Sequence, residues 1–170
     1  GIVGMGKIGS AISARARGFE MRVLYHDRNR LPKAREDFLR AMHVGLDDLL
    51  SGSDFVVISV PLSPETRGMI GRDHLGKMKK EAVLVNIARG GIVDEAALAE
   101  ALAEGRIFAA GLDVYEKEPK VHPRLLRAPS AVLLPHIGSA TTQAREGMGE
   151  LATENLLAVL SGDDPPCPVN

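Results

Sequence analysis

The sequence predicts a doubly wound parallel α/β sheet. Three observations carry this expectation: short apolar runs recur along the chain, helical patterns separate them, and the runs are apolar throughout instead of alternating with polar residues. Continuous apolar strands suit a sheet covered on both faces, and strict strand–helix alternation suits parallel pairing through crossovers. The first run, Ile2-Val3, reads as the end of a buried strand, so the sequence is expected to start partway through a larger protein. A helical pattern over Ile8–Arg17 follows, with apolar Ile8, Ala11 and Ile12 on one side, and then a strand over Met21–His26. Helical patterns at Lys33–Met42 and Asp47–Leu50 lead to a strand at Phe55–Val60. Three further strand runs stand at Ala82–Ile87, Phe108–Leu112 and Val132–Leu134, with helices at Asp73–Met78, Glu95–Ala103 and Thr141–Leu160. Residues 1–160 thus form one domain, and Ser161–Asn170, rich in Pro, Gly and Asp, reads as an exit segment.

Composition narrows the function classes. The 170 residues suit one domain of ordinary size, and 45% hydrophobic with 25% charged residues is the balance of a globular protein. A formal net charge of −1 provides no basic field for nucleic acid or an anionic membrane. No apolar run approaches the roughly 20 residues of a membrane span. The single cysteine, Cys167, excludes an internal disulfide framework and a multi-cysteine metal site, and no secretory leader is read at Gly1-Ile2-Val3-Gly4. These features point to a cytoplasmic protein without a metal centre.

In open α/β sheets ligands bind beyond the carboxyl ends of the strands, so the residues after each apolar run are the informative ones. After the first run comes Gly4-x-Gly6-x-x-Gly9, between a strand and a helix. Gly4 suits a tight turn, Gly6 a close backbone approach to a pyrophosphate, and Gly9 close packing of helix on sheet. The helix start supplies free N–H groups and partial positive charge for the phosphates. Asp27 ends the second strand and stands about where the ribose-binding acid of a dinucleotide site is expected. It favours NAD, while Arg28 and Arg30 leave NADP possible because either can pair with a 2′-phosphate or stay solvated. The expected contact set also includes Lys7 and Ile8 in the turn, Val60, Pro61 and Thr66 after the third run, and Ala88 and Arg89 after the fourth. Asp113 after the fifth run is expected either to receive the nicotinamide carboxamide or to brace its loop. His136 and Gly138 after the sixth complete the set.

Three residues on these loops carry chemistry. His136 follows the last apolar run between Pro135 and Gly138, and an imidazole is the natural acid–base group where hydride transfer makes or consumes an alcohol. Such a histidine needs a carboxylate beside it, and Glu118, held before Pro119, is the candidate, with Glu116 read as a solvent-facing neighbour. Arg89, ahead of two glycines, can hold an α-keto carboxylate with a forked pair of hydrogen bonds and polarise the adjacent carbonyl. Asn86 and Asp94 are expected to brace this turn and cap the next helix.

These segments resemble the cofactor-binding domain of the D-isomer-specific 2-hydroxyacid dehydrogenases, with a likeness that extends over nearly the whole chain. The glycine fingerprint with Asp27, the segment Asn86-Ile87-Ala88-Arg89-Gly90-Gly91-Ile92-Val93-Asp94, and the segments Gly111–Pro119 and Pro135–Thr141 are similar to that family's signatures. The resemblance implies a Rossmann-type domain with Arg89, Glu118 and His136 as the catalytic set and Asp113 as a nicotinamide contact. It also implies a homodimer, and a separate substrate domain that this chain lacks. The Asp27–Arg30 loop resembles that of glyoxylate and hydroxypyruvate reductases, which makes reduction of those 2-keto acids the leading expectation. Phosphoglycerate oxidation, 2-ketogluconate-type reduction and an NAD-sensing corepressor of the same fold are the alternatives.

Overall fold

The computed structural model describes residues 1–168, so Val169 and Asn170 of the expected exit segment lie outside the described residues. The chain falls into two compact units that divide between Pro135 and His136.

The first unit holds the whole sheet. Its strands are β1 (Ile2–Val3), β2 (Val23–His26), β3 (Ala41–His43), β4 (Phe55–Ile58), β5 (Val83–Asn86), β6 (Ala109–Leu112) and β7 (Ala131–Leu133). All neighbours are parallel, in the order β3-β2-β1-β4-β5-β6-β7, so the winding reverses between β1 and β4. A doubly wound sheet places its ligand crevice at that reversal. Helices α1 (Lys7–Ala16), α2 (Lys33–Leu39), α3 (Leu46–Gly52), α4 (Arg72–Lys77) and α5 (Glu95–Ala103) make the crossovers through β6.

Two cores sit on opposite faces of the sheet. On one, Leu49, Leu50, Leu75 and Leu98 of α3–α5 pack against Val3, Ile58, Leu84 and Leu112. On the other, Ile12 and Leu39 of α1 and α2 pack against Ile2, Val23 and Tyr25. Both faces carry helices, as expected, but this second face is covered unevenly. Across its register Tyr25 and Ile2 are buried, Val57, Val85 and Gly111 are half-buried, and Val132 is 63% exposed. Within the first unit, α1 and α2 cover only the β1–β3 half of that face.

A seventh strand replaces part of an expected helix. The pattern over Lys33–Met42 predicted one continuous helix, but α2 stops at Leu39 because Arg40 turns left-handed at φ 51°, and Ala41–His43 then pairs beside β2. The second unit begins at His136 and consists mainly of α6 (Thr142–Ser161), whose start is capped by the Thr141 hydroxyl accepting the Ala144 N–H at 3.2 Å.

Candidate functional site

The glycine turn is built by its neighbours on the sheet. Gly4 adopts φ 95°, which an L side chain rarely tolerates, and its N–H donates to His26 O at 2.8 Å. The Ser59 hydroxyl, at the end of β4, donates to Gly4 O at 2.7 Å. Gly9 is pressed against the turn so closely that a Cβ there would lie 2.1 Å from Gly4 O. By contrast, among the described residues a Cβ on Gly6 would meet no atom within 4 Å, so the turn stays open just where α1 begins, and no side chain caps the first-turn N–H groups. A strained turn, a helix seated on it and uncapped donors are what a pyrophosphate requires. The residues fit a dinucleotide.

Asp27 is organised within the protein. One carboxylate oxygen accepts the Met5 N–H at 2.8 Å and the other the Asn29 N–H at 3.1 Å, so the acid is locked onto the glycine turn. The two arginines after it part company. Arg28 lines a cavity of about 530 Å³ with Gly4, Gly6, Asp27, Val60, Pro61 and Thr66, and also with Glu65. Arg30 instead forks onto Glu36, Nε to Oε1 at 2.9 Å and Nη2 to Oε2 at 3.0 Å. The Tyr25 hydroxyl donates to the same carboxylate at 2.9 Å and accepts the Leu31 N–H at 2.8 Å. Sequence reasoning missed Glu36, because a glutamate in a helical pattern reads as a solvated face, yet it is 2% exposed.

Arg30 and Tyr25 together hold the Glu36 carboxyl down at about 2. A carboxyl lowered in the folded state stabilises the fold fully above its ordinary value of 4.5 and loses that contribution as pH falls toward 2. Glu36→Gln is therefore expected to lower Tm at neutral pH and to flatten the decline of Tm between about pH 5 and 2. Thermal melts across that range check it, and parallel wild-type and variant curves would remove the ion pair from the acid response.

A second cavity, of about 470 Å³, shares Val60 and Pro61 with the first and adds Ile8, Ala88 and Arg89. Arg89 is exposed and sits on a turn stapled by Asn86, whose side chain donates to Arg89 O at 3.0 Å and accepts the Ala88 N–H at 3.1 Å. Asp94 caps α5 as expected, accepting the Ala97 N–H at 2.9 Å. Asp113 directly follows β6, 6% exposed, with its N–H donating to Asn86 O at 3.1 Å. Glu118 lies five residues on and is exposed, with Oε1 accepting the Tyr115 N–H at 3.0 Å. The buried Tyr115 ties this loop to β7 by donating to Leu134 O at 2.8 Å. Lys7 is exposed on the first residue of α1 and lines neither cavity.

The first unit thus places Gly4, Gly6, Ile8, Asp27, Arg28, Val60, Pro61, Thr66, Ala88 and Arg89 on two cavities that share Val60 and Pro61, with Gly9 packed behind the turn. Asp113 directly follows β6, the neighbour of β5, and Glu118 lies further along the same loop. His136 and Gly138 open the second unit. His136 is exposed and holds φ 56°, a left-handed backbone uncommon outside glycine.

Residues 1–138 match the family model of the D-isomer specific 2-hydroxyacid dehydrogenase NAD-binding domain. The chain belongs to this family. Among 2-hydroxyacid dehydrogenases it is 55% identical over its whole length to a glyoxylate reductase of Thermococcus kodakarensis, covering 51% of that protein. It is 54% identical over 164 residues to glyoxylate/hydroxypyruvate reductase B of Serratia proteamaculans, covering 95% of this chain and 50% of that one. Of solved structures, the TT0316 protein of Thermus thermophilus superposes with a TM-score of 0.92 at 48% identity, over 99% of this chain and 52% of that one. An NADPH-dependent glyoxylate/hydroxypyruvate reductase of Sinorhizobium meliloti, solved with NADP and malonate, gives 0.92 at 36% identity over 99% and 51%. The chain spans about half the length of the relatives it matches. Among the described residues no helix is long and apolar enough to cross a membrane.

Proposed function

We propose that this chain is the cofactor-binding part of a reductase that interconverts small 2-keto acids and D-2-hydroxy acids, with hydroxypyruvate or glyoxylate as the substrate. The observation that carries this reading is Arg89, on the loop after β5, lining a cavity that shares Val60 and Pro61 with the cavity of the glycine turn, while Glu118 lies on the loop after the neighbouring β6. Relatives named as glyoxylate and glyoxylate/hydroxypyruvate reductases support the substrate class.

The bound nicotinamide supplies the hydride for the carbonyl carbon. Arg89 presents a planar fork that binds the substrate carboxylate and draws electron density from the adjacent carbonyl. In this reading His136 gives the carbonyl oxygen its proton, and Glu118 is the carboxylate of the same catalytic set. NAD is the favoured cofactor. Asp27 and Glu65 place two carboxylates on the cavity that Arg28 lines, and Arg30 is committed to Glu36. NADP stays in view through the NADPH-dependent relative. A second copy of this chain is the expected partner, and the setting is cytoplasmic, in keeping with a single cysteine.

The deciding test follows oxidation of NADH, and separately NADPH, in the presence of hydroxypyruvate and of glyoxylate. Turnover with either acid supports the reading and selects the cofactor. Absence of both turnover and NADH binding would overturn it. Arg89→Lys is expected to lower kcat/KM about 10–100-fold, because a point charge keeps attraction but loses the second charge-assisted hydrogen bond. Steady-state kinetics check this, and unchanged kcat/KM would take Arg89 out of the substrate site.

A further inference from the structure

The loop after β5 carries Arg89 and the loop after β6 carries Glu118, and the two are fastened together at two points. The first is backbone on backbone: a Cβ on Gly90 would lie 1.9 Å from Tyr115 C and O and 2.4 Å from Glu116 N, so only glycine permits the approach. The second is a side chain. Glu95, the first residue of α5, turns inward to 7% exposure, and its Oε1 accepts the Glu116 N–H at 2.6 Å. The Glu116 carboxylate returns the contact by accepting the Glu95 N–H at 3.3 Å.

A glutamate in the first turn of a helix ordinarily faces solvent, where it meets the helix dipole at no desolvation cost. Glu95 is not needed as a cap, because Asp94 already fills that role. Burial pushes its carboxyl up, the Glu116 and His122 backbone N–H groups and the His122 ring draw it back, and the Glu116 carboxylate adds to the push. What the buried carboxylate gains is a hold on a segment with little cover of its own, since Glu116 through Lys120 are all exposed. Glu118 lies two residues beyond the pinned amide.

We propose that Glu95 is a positioning residue whose buried carboxylate pins the Glu116 amide and so holds the Glu118 segment in fixed register with the Arg89 loop. This rests on the reductase reading for its kinetic consequence but not for its structural one. Displacement of a reacting group by about 1 Å lowers rate by about 10²-fold. In the full chain with hydroxypyruvate, Glu95→Ala is therefore expected to lower kcat about 100-fold while the Kd for NADH stays within about threefold. Glu95→Gln keeps an acceptor oxygen for the Glu116 N–H and is expected to recover kcat to within about tenfold of wild type. Because Glu95 acts through Glu118, the Glu95→Ala/Glu118→Gln double variant is expected to be no slower than Glu118→Gln alone. Additive losses, or a Kd for NADH that rises in step with the fall in kcat, would overturn the proposal.

Hydrogen exchange provides a readout independent of turnover. The Glu116 amide is expected to exchange at least about tenfold faster in Glu95→Ala, while the β5 amides of Val83–Asn86 keep their protection. Unchanged exchange at Glu116 overturns the proposal even if the wild type proves inactive on every keto acid. Faster exchange in Glu95→Ala leaves the pin standing even where the wild type shows neither turnover nor NADH binding and the reductase reading falls.

Discussion

His136→Asn lowers the rate of 2-keto acid reduction by about 10²–10⁴-fold while NADH still binds, if this imidazole is the proton donor. Asparagine is the informative replacement. His136 occupies a left-handed backbone conformation at φ 56°, and asparagine is among the few non-glycine residues that tolerate it. The variant therefore keeps the local backbone and a polar side chain, and removes only the imidazole. Steady-state kinetics with a parallel fluorescence titration of NADH separate the two effects. A rate within threefold or so of wild type would take the proton donor elsewhere.

Gly9→Ala is expected to weaken NADH binding by roughly 10–100-fold, the equivalent of about 1–3 kcal/mol of overpacking. The added methyl would sit 2.1 Å from the Gly4 carbonyl oxygen and 3.2 Å from the Ile2 side chain, so α1 must lift away from the turn that its N–H groups serve. Gly6→Ala is the paired control, because its methyl meets no protein atom within 4 Å. It should leave Tm near wild type, and any loss of affinity then reports a clash with the ligand itself. Isothermal titration and thermal melts on both variants check this. If Gly9→Ala bound NADH normally, the helix would not be part of the cradle.

Much of the fold was legible because its signals are local. The Glu95–Ala103 helix was read to its observed ends, since Asp94 is a strong cap and the apolar spacing that follows is helical. Strand β3 was not legible. Arg40 takes the left-handed turn that glycine usually marks, and three residues at the edge of a sheet leave almost no apolar run to read. The same division holds at the candidate site. Glycines, Asp27 and Arg89 announce themselves by type and spacing. Glu36 and Glu95 do not, because each reads as a solvated helix residue until packing turns it inward against Tyr25 and Arg30, or against Glu116. Arg30, open in the sequence between a 2′-phosphate and solvent, forks onto Glu36, a partner its position does not announce.

The grip of Asp27 on the Met5 N–H has a consequence for redesign. The acid that would discriminate against a phosphorylated ribose is also a strut of the turn that would receive the pyrophosphate. Selectivity and affinity then share one carboxylate, and the usual shortcut of deleting the acid to admit NADP would slacken the cradle in the same stroke. A successful swap must replace a brace as well as a charge.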